Sequence, residues 1–376
     1  MKLKDVCLLI VDCPHSTAPN EGEGYPLIRT PNIERGRFNL DNVQRVSKKT
    51  YDRRNVRAIP QDNDLILARE APAGNIAIIK NGMKVCLGQR TVLLRPNMDL
   101  VDPDFLLYFL LAPKQQNNLL GNANGSTVAH VNMPIIRNLS IELPSLKKQK
   151  RIGQILSAYD DLIENNRRQI KLLEEAAERL YKEWFVKFHY PGWENHFHDG
   201  KEEGWRNGTL SDIGKFNRGK TIISANIEPG PIPVIAGGIS PSFYCNEYNV
   251  IGPVITISAS GANAGYVNLY HENIWASDCS FLEDSATKYL YWIYCFLKSN
   301  PNILINLQKG SAQPHVYAKD VNQIELLIPP ERILTSFESE VAALYSQIAK
   351  FDRMIPLLLE ARDRLLPKLM SGEVEV

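Results

Sequence analysis

The feature that most constrains this chain is that it repeats itself. The segment GSTVAHVNMPIIRNLSIELP from Gly125 lies 185 residues before GSAQPHVYAKDVNQIELLIP from Gly310. The same offset sets His315 over His130 and Pro329 over Pro144, then continues without a gap. It pairs Ile152 with Phe337, Leu156 with Val341, Ile163 with Ile348, Ile170 with Ile355, and Arg179-Leu180 with Arg364-Leu365. A fixed offset sustained over about sixty residues identifies a duplication. Weaker echoes lie upstream, where loop lengths differ. Leu3-Lys4-Asp5-Val6 resembles Leu210-Ser211-Asp212-Ile213, DLILAREAPAGNIAI resembles VITISASGANAGYV, and DFLLYFLLA resembles KYLYWIYCFLK. The chain therefore reads as two copies of one unit, each a variable globular part followed by a long helix that changes little.

The helices carry paired apolar rows at a seven-residue period. In the first, Ile152, Tyr159, Leu173 and Leu180 form one row, interrupted by Asn166. Leu156, Ile163, Ile170, Ala177 and Trp184 form the other. The second helix repeats both, with Phe337, Leu344, Phe351, Leu358 and Leu365 beside Val341, Ile348, Ile355, Arg362 and Leu369. Two such stripes on one chain predict mutual packing as an antiparallel coiled coil. A helix of about forty residues spans roughly 60 Å, a length suited to setting distance. Pro356 sits inside the second stripe and is expected to kink the helix or restart it. Asn166 at a seam position suits register-fixing. The expected fold is α+β, with two mixed α/β globular domains separated by two long antiparallel coiled-coil helices. The expected borders are 1–144, 145–190, 191–330 and 331–376.

With 376 residues the chain exceeds one ordinary core. Its 44% hydrophobic and 23% charged content is that of a globular protein. No apolar stretch approaches the ~20 residues that span a bilayer. MKLKDVCLLIVDCPHS reads as a strand and not a signal peptide. Cys7, Cys13, Cys86, Cys245, Cys279 and Cys295 form no C-x-x-C pair, which suits reduced, mostly buried thiols in a cytoplasmic protein. The spacing of Cys7, Cys13 and His15 matches no common metal site.

The net charge of +1 hides a local excess. Arg29, Arg35, Arg37, Arg45, Lys48, Lys49, Arg53, Arg54 and Arg57 are opposed in their own segment only by Glu34, Asp41 and Asp52. Phosphate neutralisation needs such an excess. The second half has no counterpart to it.

At this point the residues resemble a known family. ELPSLKKQKRIGQILSAYDDLIENNRRQIKLLEEAAERLYKEWF between two globular parts, with a terminal LLEARDRLLPKLMSGEVEV, is similar to the specificity (S) subunit of type I restriction-modification enzymes. The resemblance covers essentially the whole chain. It implies two target recognition domains, each reading half of a bipartite site in double-stranded DNA, and helices that act as ruler and docking surface for two modification (methyltransferase) subunits. Restriction subunits join through these. It further implies a non-catalytic chain, with S-adenosylmethionine, ATP and Mg held by the partners. Two readers on a rigid separator suit half-sites at fixed spacing, where one turn of B-DNA is ~34 Å. The globular parts differ far more than the helices, so the expected site is asymmetric.

Arg, Lys, Asn and Gln are the side chains best matched to base edges. In the first domain the candidates are His15, Arg29, Asn32, Arg35, Arg37, Arg69, Gln89, Arg90, Ser126 and Thr127. In the second they are Asn217, Arg218, Lys220, Thr221, Ser260, Asn263, Lys309, Ser311 and Gln313. His130 and His315 match each other and suit a structural role equally well. HSTAPNEGEGYPLIRTPNI, with its Pro and Gly breaks, suits an exposed loop.

Two readings compete with DNA recognition. Gly214-Lys215-Phe216-Asn217-Arg218-Gly219-Lys220-Thr221 satisfies G-x-x-x-x-G-K-T, the pattern of a nucleotide hydrolase. What precedes it is a short segment, and Pro and Gly in TIISANIEPGPIP disfavour a following helix. The other rival is a coiled-coil scaffold for protein partners. There is no Asn/Asp-Pro-Pro-aromatic motif for adenine methylation, no glycine-rich strand-turn-helix for S-adenosylmethionine, and no prominent carboxylate–lysine set for nuclease chemistry.

Overall fold

Leu65–Ala68 and Thr91–Pro96 are apolar strands with no exposed position, and a strand buried on both faces belongs inside a sheet. The computed structural model, which describes residues 1–121, 130–195, 197–198, 201–202, 204–222, 227–310 and 313–376, places them there. The chain divides into two compact units, Met1–Asn165 with Met354–Val376, and Asn166–Arg353. These borders fall within the two long helices, so compactness cuts the chain differently from the element borders expected above.

The first unit begins with one helical turn, α1 (Leu3–Val6), before strand β1 (Cys7–Asp12). The expected N-terminal strand is therefore present but starts later. Strands β2 (Tyr25–Ile28), β3 (Arg45–Val46), β4 (Leu65–Ala68), β5 (Ile76–Ile78), β6 (Cys86–Leu87) and β7 (Thr91–Pro96) follow, with α2 (Lys48–Arg54) after β3. They form a sheet of order β1-β7-β4-β5 and a small sheet β3-β2-β6. The segment read as an exposed loop thus contains β2, because Tyr25, Leu27 and Ile28 find apolar cover. Helices α3 (Pro103–Leu111), α4 (Pro113–Leu120) and α5 (Met133–Asn138) close the unit ahead of α6 (Leu146–Tyr181), which ends in a π turn over Lys182–Val186. α3 is apolar on nearly every side because nearly every side is buried.

The second unit repeats the plan. After a small hairpin, β8 (Phe197–His198) with β9 (Lys201–Glu202), come β10 (Arg206–Thr209), β11 (Asn217–Arg218), β12 (Ile232–Ile235), β13 (Phe243–Cys245), β14 (Val254–Ser258), β15 (Val267–Tyr270), β16 (Trp275–Ala276) and β17 (Cys279–Glu283). The main sheet is β11-β17-β14-β15 and the small one β13-β12-β16. In both small sheets the middle strand pairs antiparallel with one neighbour and parallel with the other. Helices α7 (Leu290–Ser299), α8 (Pro301–Asn306) and α9 (Ala318–Val321), then β18 (Glu325–Ile328), lead to α10 (Glu331–Ser371). The weak echo around the β4–β5 hairpin is a true structural repeat. Gly74 N donates to Ala68 O at 2.9 Å and Gly265 N to Ser258 O at 2.9 Å, both glycines at φ +88°, a conformation costly for other residues.

The long helices pair antiparallel. In the first unit Ile152 and Leu156 of α6 share a core with Leu366 and Leu369 near the end of α10. In the second, Ala177, Tyr181 and Trp184 share one with Phe337, Val341, Tyr345 and Ile348 near its start. Of the expected packing residues, Ile152, Leu156, Ile163, Phe337, Val341 and Ile348 are buried, while Tyr159, Ile170, Leu173, Leu180, Leu344, Phe351, Ile355, Leu358 and Leu365 are half-buried. Full burial has moved one position on, to Tyr345 and Leu366. A 3.6-residue helix drifts about 20° per heptad against a strict seven-residue row, which rotates the buried stripe. α10 continues through Pro356 and Pro367, so the expected restart does not occur. Pro356 is exposed, and its missing N–H costs the helix one hydrogen bond there. Arg362, the charged interruption of its row, is buried and ion-paired with Asp160, which also accepts from Tyr108 Oη at 2.6 Å. Asn166 is 1% exposed, and its Nδ2 has no partner among the described residues.

The repeat also preserves a capping role while changing its source. In the first unit Asp102 accepts from Phe105 N at 3.0 Å and caps α3. A Cβ on Gly153 of α6 would stand 2.8 Å from Asp102 Oδ1. The residue 185 positions on is Glu338 of α10, which accepts from Tyr291 N at 2.8 Å and Trp292 N at 3.0 Å at the start of α7. One helix start is capped from the globular part over a glycine, the other from the long helix itself.

Candidate nucleic-acid interface

In the first unit β1 ends, β4 ends and β7 begins at one end of the main sheet, since Asp12 is opposite Val92 and Ala68 opposite Thr91. A chain of charged side chains is built there. Arg69 is buried, its Nε donating to Val131 O at 2.9 Å and its Nη1 to Asp12 Oδ2 at 2.8 Å. Its Nη2 lies 2.8 Å from His130 Nε2, and His130 Nδ1 lies 2.6 Å from Glu70 Oε1. A guanidinium only donates, so Nε2 accepts and Nδ1 carries the proton. Glu70 then accepts from the exposed Arg90 at 2.8 Å. His15 stands 3.2 Å from Asp12, and Gln89 Nε2 donates to His15 O at 3.2 Å. His15, Arg69, Gln89 and Arg90 therefore come together, with Arg69 acting as the internal tie and Arg90 facing solvent. Arg90 holds φ +67°, an uncommon conformation for a side chain of its size.

The other candidates of this unit have separate fates. Arg29 is exposed and leans on Gly88, whose added Cβ would meet Arg29 Cγ at 2.9 Å. Asn32 is buried, accepting from Arg29 N at 3.1 Å and donating to Asn39 O at 3.2 Å. Its amide is spent on a 3₁₀ turn, which withdraws it from base reading. Arg35 donates to Leu111 O at 3.1 Å, and Arg37 pairs with Glu34 at 2.6 Å and Glu164 of α6 at 3.5 Å. Both are tied to the α3 and α6 side. Arg54 of the basic segment is also internal, reaching Leu87 O at 3.2 Å and Ser16 O at 2.9 Å. Lys49, Arg53 and Arg57 remain exposed. They stood in the basic segment without being singled out, and the doublets around Tyr51 in KKTYDRR were the available signal.

The equivalent sheet end of the second unit keeps the backbone and exchanges the side chains. Val131 N donates to Arg69 O at 3.0 Å, and Val316 N to Ala259 O at 2.9 Å. Arg69 N donates to Arg90 O at 2.9 Å, and Ala259 N to Asp278 O at 3.2 Å. Glu70 and Arg90 thus correspond to Ser260 and Asp278, where the Ser260 hydroxyl donates to the Asp278 carboxylate. His315 and Lys309 exchange backbone bonds at 2.8 and 2.9 Å, and Lys309 pairs with Asp320 at 2.7 Å. Asn217, Arg218, Lys220, Thr221, Asn263 and Gln313 are exposed. Ser126, Thr127 and Ser311 lie outside the described residues.

The phosphate-loop pattern has a packing explanation. A Cβ on Gly219 would stand 2.2 Å from Ser277 O, and one on Gly214 2.7 Å from Ile293 Cδ1. Asn217–Arg218 is strand β11, and Phe216 is buried with its N–H bonded to Asn322 at 2.8 Å. Both glycines answer to close approach, and the segment is not the strand–loop–helix that cradles phosphates. Buried, unpaired thiols are likewise inert: burial pushes Cys279 and Cys295 up to about 12.

The model of the type I restriction modification DNA specificity domain matches residues 1–175 and 202–339. The type I restriction enzyme MjaIX specificity subunit of Methanocaldococcus jannaschii is 28% identical over 370 residues, covering 92% of this chain and 83% of that protein. The HindI specificity subunit of Haemophilus influenzae is 21% identical over 367 residues, covering 75% of this chain and 80% of that protein. The crystal structure of the type I restriction-modification S subunit from M. genitalium shares the fold, with a TM-score of 0.63 at 18% identity over 98% of this chain and 95% of that one. Matched in two blocks, one on each repeat, the chain belongs to the type I restriction-modification DNA specificity family.

Proposed function

We propose that each unit reads one half of an asymmetric, bipartite site in double-stranded DNA, and that the paired helices set the spacer and dock two methyltransferase subunits. The observation that carries this is the sheet end with a repeated backbone and exchanged side chains, Glu70 and Arg90 against Ser260 and Asp278. A shared frame with different donors and acceptors is what two different half-sequences require. On this reading the chain is the non-catalytic, cytoplasmic recognition component. S-adenosylmethionine, ATP and Mg are bound by its partners, and restriction subunits join through the modification subunits. The rival nucleotide-hydrolase reading loses its support where packing accounts for Gly214 and Gly219.

Methylation mapping of the source genome with and without this gene tests the proposal. The expected result is a modified two-part sequence that disappears with the gene. An unchanged methylation pattern, or footprints without a bipartite site for the assembled complex, defeats it.

A further inference from the structure

The two small sheets have the same topology and opposite surface chemistry. In the first unit, α2 covers the sheet through Tyr51, whose ring stacks on Tyr25 at 4.2 Å. Its outer side presents Lys48, Lys49 and Arg53, with Arg45 on the adjoining strand β3. Lys48 is paired with Asp52, while Lys49 and Arg53 have no ion pair among the described residues. In the second unit the chain carries no lysine or arginine between Lys220 and Lys288, a span that includes Glu228, Glu247 and Glu272. Strand β13, the counterpart of β3, and the turn after it instead expose Tyr244 at 56% and Tyr248 at 50%. Exposed rings grouped this way mark a contact surface.

The position of these rings points to the ligand. The residues after Tyr244 line a hollow of 220 Å³ together with Lys220, Thr221 and Trp275, so the aromatic strand adjoins the sheet end that holds the DNA candidates. Glu228 and Glu247 beside it disfavour phosphate, which leaves base edges and sugars in a groove as partners for the rings.

We propose that the two units hold DNA by different chemistry. The small sheet of the first unit neutralises phosphates through Lys49 and Arg53, and that of the second packs Tyr244 and Tyr248 against bases or sugars. Ionic strength then acts on the small-sheet contact of the first unit and not on that of the second. This rests on DNA being the ligand of both units.

The test uses the chain assembled with its modification subunits and a duplex carrying the sequence found by methylation mapping, titrated at several salt concentrations. Each phosphate contact contributes ~0.9 to the slope of log affinity against log salt. K49Q with R53Q is expected to reduce that slope by about 1 to 2. Y244A with Y248A is expected to weaken binding about tenfold or more at every salt concentration with the slope unchanged, and phenylalanine at both positions to restore it. An altered slope in the tyrosine variant, unweakened binding, or failure of that variant to assemble with the modification subunits overturns the inference. The last outcome reassigns the patch to a protein partner. If the unmutated complex shows no affinity for the duplex, the reading of DNA as ligand fails instead, which is a separate result.

Discussion

Arg90 donates its Nε–H to Glu70 at 2.8 Å, and the same two backbone positions in the second unit carry Asp278 and Ser260, joined in the opposite sense with the carboxylate accepting. One framework therefore presents a cation in one unit and an anion in the other. Arg90→Ala is expected to change the methylated sequence in one half-site and leave the other intact, with about 1–3 kcal/mol of discrimination lost at the base concerned. Asp278→Ala is expected to do the reverse. Methylation mapping of each variant reads this directly, and a change in both halves from one substitution rules the assignment out.

Arg362 is buried against Asp160 and Asp363, and Tyr108 completes the group. Arg362→Met leaves the Asp160 carboxylate with only the tyrosine hydroxyl. A loss of about 2 kcal/mol is expected, reduced from a fully buried case because Asp160 keeps some solvent contact. Asp160→Asn together with Arg362→Met should recover part of it. Denaturant melts of the four proteins form the double-mutant cycle; strict additivity would show that the pair does not act as a pair.

Glu338 caps α7 from within a buried setting, and desolvation pushes it from 4.5 up to about 7. The folded form keeps a proton that the unfolded form has lost between those values. Its stabilising contribution is therefore present in acid and declines as pH rises from about 4.5 through about 7. Burial raises Glu174, Glu272 and Asp352 as well, in the same direction. His271 is lowered from 6.5 to about 4 and works oppositely, but only below its unfolded value. These other groups are the same in both proteins of a Glu338 comparison, so the difference between the two isolates Glu338. Glu338→Gln, compared with the unmutated chain, should gain relative stability as the pH rises from about 5 to about 8, by about 1 kcal/mol after solvent screening. Equal pH dependence of the two melting temperatures contradicts this.

Gly219 and Lys220 separate packing from nucleotide chemistry. Gly219→Ala places a methyl 2.2 Å from Ser277 O, and a loss of about 2 kcal/mol or more is expected from the displaced backbone. The exposed Lys220→Ala should leave stability within roughly ±0.5 kcal/mol. ATP turnover by the purified chain that vanishes with Lys220 would restore the hydrolase reading.

The sequence by itself determined the repeat, the two long helices and their antiparallel pairing. These rest on local periodicity: a seven-residue apolar row is written in consecutive turns and needs no distant partner to be read. It also offered Arg69, Arg90, Lys220 and the basic segment as candidate DNA contacts. Only the tertiary structure decided which of those groups are free. Arg69 is bound by Asp12 and Val131, 57 and 62 residues away, and Arg54 by the carbonyls of Leu87 and Ser16. Asn32 is taken by its own turn, and Arg37 by Glu164. An arginine that reaches for DNA and one that ties two loops together have the same letter and the same charge. What separates them is the presence of an acceptor brought close by folding, and no pattern along the chain records that distance.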